Sequence, residues 1–388
     1  MTAVSYGREV AVGTRRERRS WIALLRHVDL VLVGATLTLA LLGVVMVYSA
    51  TRDLLVSQGL SSHYYLERQS IWVVIGIVVM AVVASIDYRR FRDWGYIIYG
   101  LVVMGLIGVF VIGKAQVGVE RWYQLGPLQL QPSEFTALGL IVAVATYCSR
   151  REGILSFRQV LGLLALGGMP MLLVYKQPDL GTTIVLAVAL AAMMVAAEVR
   201  LRYMALLLVL GAGGFFLALH LHLLHAYQLT RLTSFLHQNS NTQSSNYELY
   251  MTRNAISSGG LKGVGIDHGL ATNLALIPNQ YTDFIFSAVG EQLGFIGSAV
   301  MIGLYGLIAL RMLRAAQMAK DSFGRLVCVG ALAFLSFSVF ENVGMNIGIM
   351  PITGIPLPFI SYGGSATFAF FATIGLVLNV EMRRLPRR

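Results

Sequence analysis

Residues 28–50 read VDLVLVGATLTLALLGVVMVYSA, a run with a single charged side chain, Asp29. A helix of about 20 apolar residues crosses a bilayer core about 30 Å thick, so this run is long enough to span a membrane. It is too long for the apolar part of a removable signal peptide, and it lacks a small-residue cleavage pattern. The stretch therefore predicts an integral membrane helix.

Nine further runs of this kind follow, bounded by charges, Pro or Gly. We therefore predict an all-α polytopic membrane protein with about ten transmembrane helices. The predicted spans are residues 28–50, 70–86, 95–113, 133–149, 159–176, 179–197, 203–224, 283–310, 324–345 and 364–381.

The composition excludes the other broad classes of protein. Of 388 residues, 56% are hydrophobic and only 13% are charged, against about 25% charged in soluble domains. Two cysteines cannot supply a disulfide framework. A soluble, a disordered and a disulfide-stapled protein are therefore all excluded.

The distribution of basic residues predicts the orientation. With the N-terminus inside, 22 of the 30 Lys and Arg residues fall in inside segments, as the positive-inside rule requires. The net charge of +11 therefore reflects topology rather than nucleic-acid binding. We expect a basic cytoplasmic segment (1–27), a single transmembrane domain (28–382) and a basic cytoplasmic tail (383–388), with both termini cytoplasmic.

One predicted outer segment, residues 225–282 between helices 7 and 8, is much longer than the other loops. It contains a Ser/Asn/Gln-rich stretch (234–246) that we expect to be mobile, and then the glycine-rich SSGGLKGVGIDHG (257–269). Loops of this length are usually functional or disordered. The glycines either form turns or expose backbone N–H groups that bind phosphate, with Lys262 as a neighbouring charge.

Three polar motifs stand at predicted outer helix ends: RWYQLGPLQLQPSE (121–134), QPDLGT (177–182) and PNQYTDFIF (278–286). Each is also a good helix start, because Pro is tolerated in the first turn and Ser, Thr, Asp and Glu can cap it or complement the helix dipole. Taken singly, each motif is more typical of a helix cap than of a site. The capping candidates are Ser133, Glu134, Asp179, Thr282 and Asp283.

The convergence of these motifs on one side of a membrane favours a site, because ionisable groups there are costly unless they face a cavity or a partner. The candidate carboxylates are Glu134, Asp179, Asp283 and Glu291, and the candidate cations are Arg121, Arg231, Arg253 and Lys262. The i to i+8 spacing of Asp283 and Glu291 predicts one helical face. An interhelical hydrogen bond is an equal alternative for Glu291.

Two other outer features carry no charge. Residues 348–366, GIMPITGIPLPFISYGGSA, cannot be a regular helix throughout and must be buried in protein or line a cavity. Trp122 is either an aromatic of the membrane interface or a residue that stacks on a sugar.

In this order, these outer motifs resemble the SEDS family (shape, elongation, division and sporulation) of bacterial cell-wall polymerases, over nearly the whole chain after about residue 30. The most specific parts are RWYQLGPLQLQPSE, QPDLGTT, AISSGGLKGVG, IPNQYTDFIFSAVGEQLGFIG and GIMPITGIPLPFISYGGSA. Thr353 before Gly354 is more similar to the elongation branch (RodA) than to the division branch (FtsW), which typically has a lysine there.

The resemblance implies a glycosyltransferase that polymerises lipid II into peptidoglycan at the outer face of the plasma membrane. It implies that Asp283 is the essential carboxylate and general base, and that Trp122 and the QPSE residues bind substrate. A class B penicillin-binding transpeptidase and other elongation-complex proteins are the implied partners. The implied substrate-binding set is Arg121, Trp122, Gln131, Ser133, Glu134, Asp179, Arg231, Arg253, Lys262, Glu291, Ser361 and Ser365.

Some points stay open at this stage. Either a cation among Arg231, Arg253 and Lys262 or a divalent metal ion (Mg or Mn) neutralises the leaving diphosphate. Thr136, Met251 and Tyr281 depart from the family pattern and receive no role. Two other functions also fit ten spans with acidic residues: a flippase or transporter of lipid-linked oligosaccharide, and a non-catalytic scaffold for cell-wall enzymes.

Overall fold

The structure, a computed structural model, describes residues 27–112, 114–116, 119–125, 128–151, 153–220 and 244–384. These residues are mostly helical, and each of the ten predicted spans contains one helix. The helices are α1 Leu30–Ser57, α2 Tyr64–Ser85, α3 Tyr88–Asp93, α4 Gly95–Ile112, α5 Thr136–Ser149, α6 Phe157–Lys176, α7 Leu180–Ala196, α8 Leu201–His220, α9 Ser244–Ser258, α10 Leu270–Asn273, α11 Ile285–Gln317, α12 Ser322–Ile347 and α13 Gly364–Met382.

Six of the described helices, α1, α2, α6, α11, α12 and α13, are long and apolar enough to cross a membrane. Shorter apolar stretches lie in α4, α7 and α8. The multi-pass class is therefore confirmed, whereas the number of spans and the side of each terminus stay predictions. The basic segment of residues 1–26 lies outside the described residues.

A small antiparallel sheet corrects the all-α prediction. Its strands are β1 Lys114–Gln116, β2 Val119–Leu125 and β3 Leu128–Leu130, in the order β1-β2-β3. The β2 sequence VERWYQL alternates in polarity and is rich in aromatic and β-branched residues, which favours a strand. The Tyr123 hydroxyl donates to the Gly105 carbonyl of α4 at 2.8 Å, so the sheet is held against that helix.

The centre of the bundle is α13, whose most apolar 18-residue window is 94% buried. Small residues let it approach its neighbours closely, as is common between membrane helices. A methyl group added at Gly375 would lie 2.7 Å from the Met80 carbonyl of α2. The inner half of α13 therefore packs closely against the inner half of α2.

Part of the long outer segment is helical. Residues 221–243, with most of the Ser/Asn/Gln-rich stretch, lie outside the described residues, but residues 244–258 form α9. Beneath α9, the side chains of Leu249, Ala255 and Ile277 join a second hydrophobic cluster with Phe284 and Met345. This part of the loop is therefore packed on the bundle beside the TDF motif (residues 282–284).

The glycine-rich segment 259–265 is bonded to a break in α11. Gly294 has φ +65° and ψ −164°, so the helix is interrupted there. The segment provides replacement partners: Phe295 and Ile296 donate to the carbonyls of residues 260 and 261, at 2.9 and 3.1 Å. In return, the N–H groups of residues 264 and 265 donate to the Glu291 and Gln292 carbonyls, both at 3.1 Å. The phosphate-binding interpretation is wrong for these N–H groups, because they already have acceptors.

A buried ionic cluster joins three helices at the end opposite the outer motifs. Arg311 of α11 pairs with Asp29, which also caps α1 by accepting from the Val31 and Leu32 N–H groups. Arg311 also lies 4.0 Å from Glu381 of α13. The Asp29 and Glu381 side chains are only 1% and 2% exposed. This cluster fixes the predicted inner ends of α1, α11 and α13 together.

Candidate functional site

The TDF motif forms a tight turn immediately before α11. The Asp283 N–H donates to the Asn279 carbonyl at 3.1 Å, and α11 begins only at Ile285, with Phe284 at its N-cap position. The prediction that Asp283 and Glu291 share a helical face is therefore wrong. The cap position itself belongs to Phe284 and not to Asp283.

The residues around 361 hold this turn from the other side. The Tyr362 N–H donates to the Tyr281 carbonyl at 2.9 Å, and the Ser361 hydroxyl donates to the Thr282 carbonyl. The Ser361 oxygen also accepts the Leu357 N–H at 2.8 Å. Ser361, predicted to bind substrate, is 4% exposed and instead ties the irregular segment 348–366 to the TDF turn.

Three predicted acidic residues come together at this end of the bundle. Asp179 and Asp283 are both close enough to interact electrostatically with Glu134. Thr353 lies close to the Asp179 turn: a methyl group added at Gly181, two residues after Asp179, would lie 3.0 Å from the Thr353 Cβ. The convergence expected for Glu134, Asp179 and Asp283 is therefore present in the structure.

A narrow cavity opens beside Glu134 with room for about one water molecule. Its polar lining comes from α7, α12 and the 3-10 turn that precedes α5. The polar lining residues are Ser133, Glu134, Thr182 and Ser338. A water-sized polar space thus lies next to the acidic residues.

Asp179 caps α7, as its motif predicted. Its carboxylate accepts from the Thr182 N–H and the Thr182 hydroxyl, both at 3.0 Å. Arg121 approaches the same turn from β2 and donates to the Pro178 carbonyl at 2.6 Å. Arg121 thus places a cation at the turn that Asp179 begins, while part of its hydrogen bonding stabilises the backbone.

The QPSE motif mainly joins the sheet to α13. The Gln131 N–H donates to the Ser365 hydroxyl at 3.0 Å, and that hydroxyl donates to the Gln129 carbonyl at 3.2 Å. The Gln131 side chain donates to the Ser133 hydroxyl at 3.0 Å. Ser133 and Ser365 are 1% and 6% exposed. These two serines therefore hold backbone and side chains in place, and their predicted contact with substrate stays a prediction.

For Glu291 the structure favours the second of the two predicted roles, a hydrogen bond between helices. Its carboxylate is 1% exposed and accepts from the Ala271 N–H at 2.8 Å. It also accepts from the Thr272 N–H at 3.1 Å and from the Thr272 hydroxyl at 2.6 Å. Glu291 therefore anchors α10 to α11. This is a contact between a helix and the outer segment, rather than a substrate contact.

The remaining predicted residues lie nearer the surface. Trp122 is half-buried in β2, opposite Lys114 of β1. Arg253 on α9 and Lys262 on the glycine-rich segment are exposed. Arg231 lies outside the described residues.

Sequence reasoning missed Arg68 and the aromatic side chains around it. The Arg68 guanidinium lies 4.3 Å from the Tyr64 ring centroid and bonds the Tyr362 hydroxyl. The Tyr281 ring is 4.9 Å from Tyr65 and 5.6 Å from Tyr362. Burial raises the pKa of Tyr362 to about 12, so its hydroxyl stays protonated at neutral pH. An arginine two residues before the predicted span 70–86 was the available signal. Arg68 bonds Tyr362, whose ring packs on that of Tyr281, two residues before Asp283.

The divalent metal ion considered from the sequence stays a prediction. In the part of the chain that the structure describes, no group of three or more His, Cys, Asp or Glu side chains could hold one.

Comparison with known proteins identifies the family. The family model described as "Cell cycle protein", which covers FtsW, RodA and SpoVE, matches residues 29–385. The chain belongs to this family. Peptidoglycan glycosyltransferase MrdB of Escherichia coli strain K12 is 35% identical over 319 residues, covering 82% of this chain and 86% of that protein. Stage V sporulation protein E of Bacillus subtilis strain 168 is 32% identical, covering 91% and 96%.

Solved structures of the family share the fold. The rod shape determining protein RodA of Thermus thermophilus matches with a TM-score of 0.69 at 29% identity, covering 93% of this chain and 98% of that chain. A chain from work described as "Structural coordination of polymerization and crosslinking by a peptidoglycan synthase complex" matches with a TM-score of 0.79 at 29% identity, covering 92% and 98%.

Proposed function

We propose that this protein is a peptidoglycan glycosyltransferase that polymerises lipid II into glycan strands during cell elongation. The observation that carries the proposal is the fixed TDF turn, which holds Asp283 beside Glu134 in a family whose relatives include proteins named peptidoglycan glycosyltransferases. The active end faces the outside of the bacterial plasma membrane. The clustering of the outer motifs at one end of the bundle, opposite the Arg311 cluster, supports this orientation.

In the proposed reaction, Asp283 is the general base. It takes the proton from the 4-hydroxyl of a GlcNAc unit as that oxygen bonds to C1 of a MurNAc unit. The bond from C1 to the lipid diphosphate breaks on the opposite face, so the configuration at C1 inverts. The diphosphate leaves as a stable anion, so a second carboxyl group is not needed as an acid.

Cations near the turn are assigned to the leaving diphosphate. Arg121 lies at the Asp179 turn, where it bonds the Pro178 carbonyl, and Arg68 bonds the Tyr362 hydroxyl. Positive charge placed where negative charge develops stabilises the transition state. Both substrates are lipid-linked, so confinement to the membrane supplies part of their mutual orientation.

The proposed partner is a class B penicillin-binding transpeptidase that cross-links the product. The structural relative described by the words polymerization and crosslinking supports a joint assembly of this kind. A transporter has no comparable support among the described residues: Glu291 is bonded to Thr272, and Glu341 accepts from the Thr353 hydroxyl at 3.0 Å.

The test is glycan synthesis from purified lipid II by the detergent-solubilised protein together with its cognate transpeptidase. Wild-type protein should form polymer, and Asp283→Asn should form none while it remains folded and still binds lipid II. Asp53→Asn is the matched control, since Asp53 is 43% exposed at the end of α1 and should be dispensable.

Polymer from a folded Asp283→Asn protein would overturn the assignment of the base. If neither the wild type nor the variant forms polymer, measurement of lipid II translocation in vesicles decides in favour of the transporter alternative or against it.

A further inference from the structure

The main-chain carbonyl of Asp283 is held by two side-chain amides of α12. The Asn342 amide donates to it at 2.8 Å and the Asn346 amide at 3.2 Å. Both asparagines are fully buried. With the bonds to the Tyr281 and Thr282 carbonyls, three consecutive carbonyls of the TDF turn are fixed by residues of other segments.

Asn342 has a second contact that Asn346 lacks. Its amide also donates to the Ile355 carbonyl at 2.8 Å. The residue before Ile355 is Gly354, and a methyl group added there would lie 3.3 Å from the Asp283 Oδ2. One side-chain amide has two N–H donors, and Asn342 uses one on the residue that carries the carboxylate and one on the residue after Gly354. It therefore ties the backbone of Asp283 to the backbone segment that its carboxylate faces.

We propose that Asn342 is a positioning residue that orients Asp283 for proton abstraction, an inference that rests on the proposed role of Asp283 as the base. A base acts only within hydrogen-bond reach of the proton it removes. Such geometry must hold to within about 0.5 Å. The bonds from Asn342 supply this restraint from a rigid helix, without contact between Asn342 and the substrate. Asn346 supports the same carbonyl through a longer bond.

The test compares Asn342→Ala with Asn379→Ala. Asn379 is a matched control because it is also fully buried and also donates to two main-chain carbonyls, those of Val83 and Ile86. It lies near the inner end of α13, close to Glu381. Each substitution removes a buried amide with two donor bonds, so both should lower the unfolding temperature in detergent.

Only Asn342→Ala should lower the turnover of the folded enzyme, by about 100-fold, the loss expected for a misplacement of about 1 Å. It should also shift the acidic limb of the pH–rate profile, because protonation of the base sets the pH at which the rate falls there. The reason is that Asp283 changes its distance from Glu134 and Tyr281, two titratable groups that interact with it electrostatically. Asn379→Ala should leave the acidic limb in place.

The proposal is overturned if Asn342→Ala has the same turnover per folded molecule and the same acidic limb as Asn379→Ala. If Asn342→Ala does not fold, Asn346→Ala replaces it, with a smaller loss of turnover and the same direction of shift expected; an unchanged limb there also overturns the proposal. Activity in Asp283→Asn would instead refute the base itself. An inactive Asp283→Asn beside a fully active Asn342→Ala would refute only the role of Asn342.

Discussion

The Asp283 carboxylate lies directly against Gly354. A methyl group added at Gly354 would be 3.3 Å from the Asp283 Oδ2, and the glycine has φ +78°. The backbone here comes close enough to the carboxylate that a larger residue must displace one of them.

Gly354→Ala should therefore reduce polymerisation by about tenfold or more through misplacement of Asp283. The left-handed backbone adds a cost of about 1–2 kcal/mol in stability. Gly59→Ala is the control, because Gly59 has φ +72° with open space around its Cβ position. Equal activity of the two variants would mean that contact with Asp283 is unimportant.

Glu291→Ala should detach α10 from α11. The substitution removes the acceptor for the Ala271 N–H and for the N–H and hydroxyl of Thr272, and unmade buried hydrogen bonds are costly. Hydrogen exchange measured by mass spectrometry should become faster over residues 270–276. Glu198→Ala, which removes a 75% exposed side chain, should leave exchange in these residues unchanged. Unchanged exchange in Glu291→Ala would contradict the anchoring role.

Gly294→Ala should destabilise the outer part of α11. The added methyl group would lie 2.2 Å from the Gly263 nitrogen, and alanine is strained at φ +65°. We expect a loss of about 3 kcal/mol from strain and overpacking together. Gly303→Ala in the same helix is the control, since its Cβ position is open. Unfolding by denaturant in mixed micelles measures both, and equal stability of the two variants would argue against the described break.

Arg311→Met should destabilise the predicted inner end. It leaves the buried Asp29 carboxylate without its cation and removes one from Glu381, and loss of a partner in a buried pair costs about 3 kcal/mol. Arg325→Met removes a cation that is 44% exposed and should cost less than about 1 kcal/mol. Similar unfolding midpoints for the two variants would contradict a structural role for the cluster.

The sequence predicted the helices and the convergence of Glu134, Asp179 and Asp283, because long apolar runs and charged helix ends are local signals. It could not predict the contacts of Ser361 and Ser365, and for Glu291 it left a hydrogen bond and a substrate contact as equal alternatives. Their hydrogen-bond partners are distant in sequence, such as Thr282 for Ser361 and Gln131 for Ser365.

Arg68, Asn342 and the sheet were missed for related reasons. Arg68 becomes part of the site only through Tyr362, a contact between α2 and the segment before α13. Asn342 stands in the middle of an apolar run, where a single amide gives no sign of what it bonds. The three short strands lie between two apolar runs, and a search for runs long enough to span a membrane does not detect strands of three to seven residues.

The break at Gly294 divides α11 into two parts with different mechanical attachments. Its outer nine residues, 285–293, and the first residues after the break share hydrogen bonds with segment 259–265, whereas its inner end is fixed by Arg311 to Asp29 and Glu381. The outer part begins two residues after Asp283. The glycine-rich segment therefore bridges the break, and it joins the part of α11 that starts beside the carboxylate to the part that ends in the buried ionic cluster.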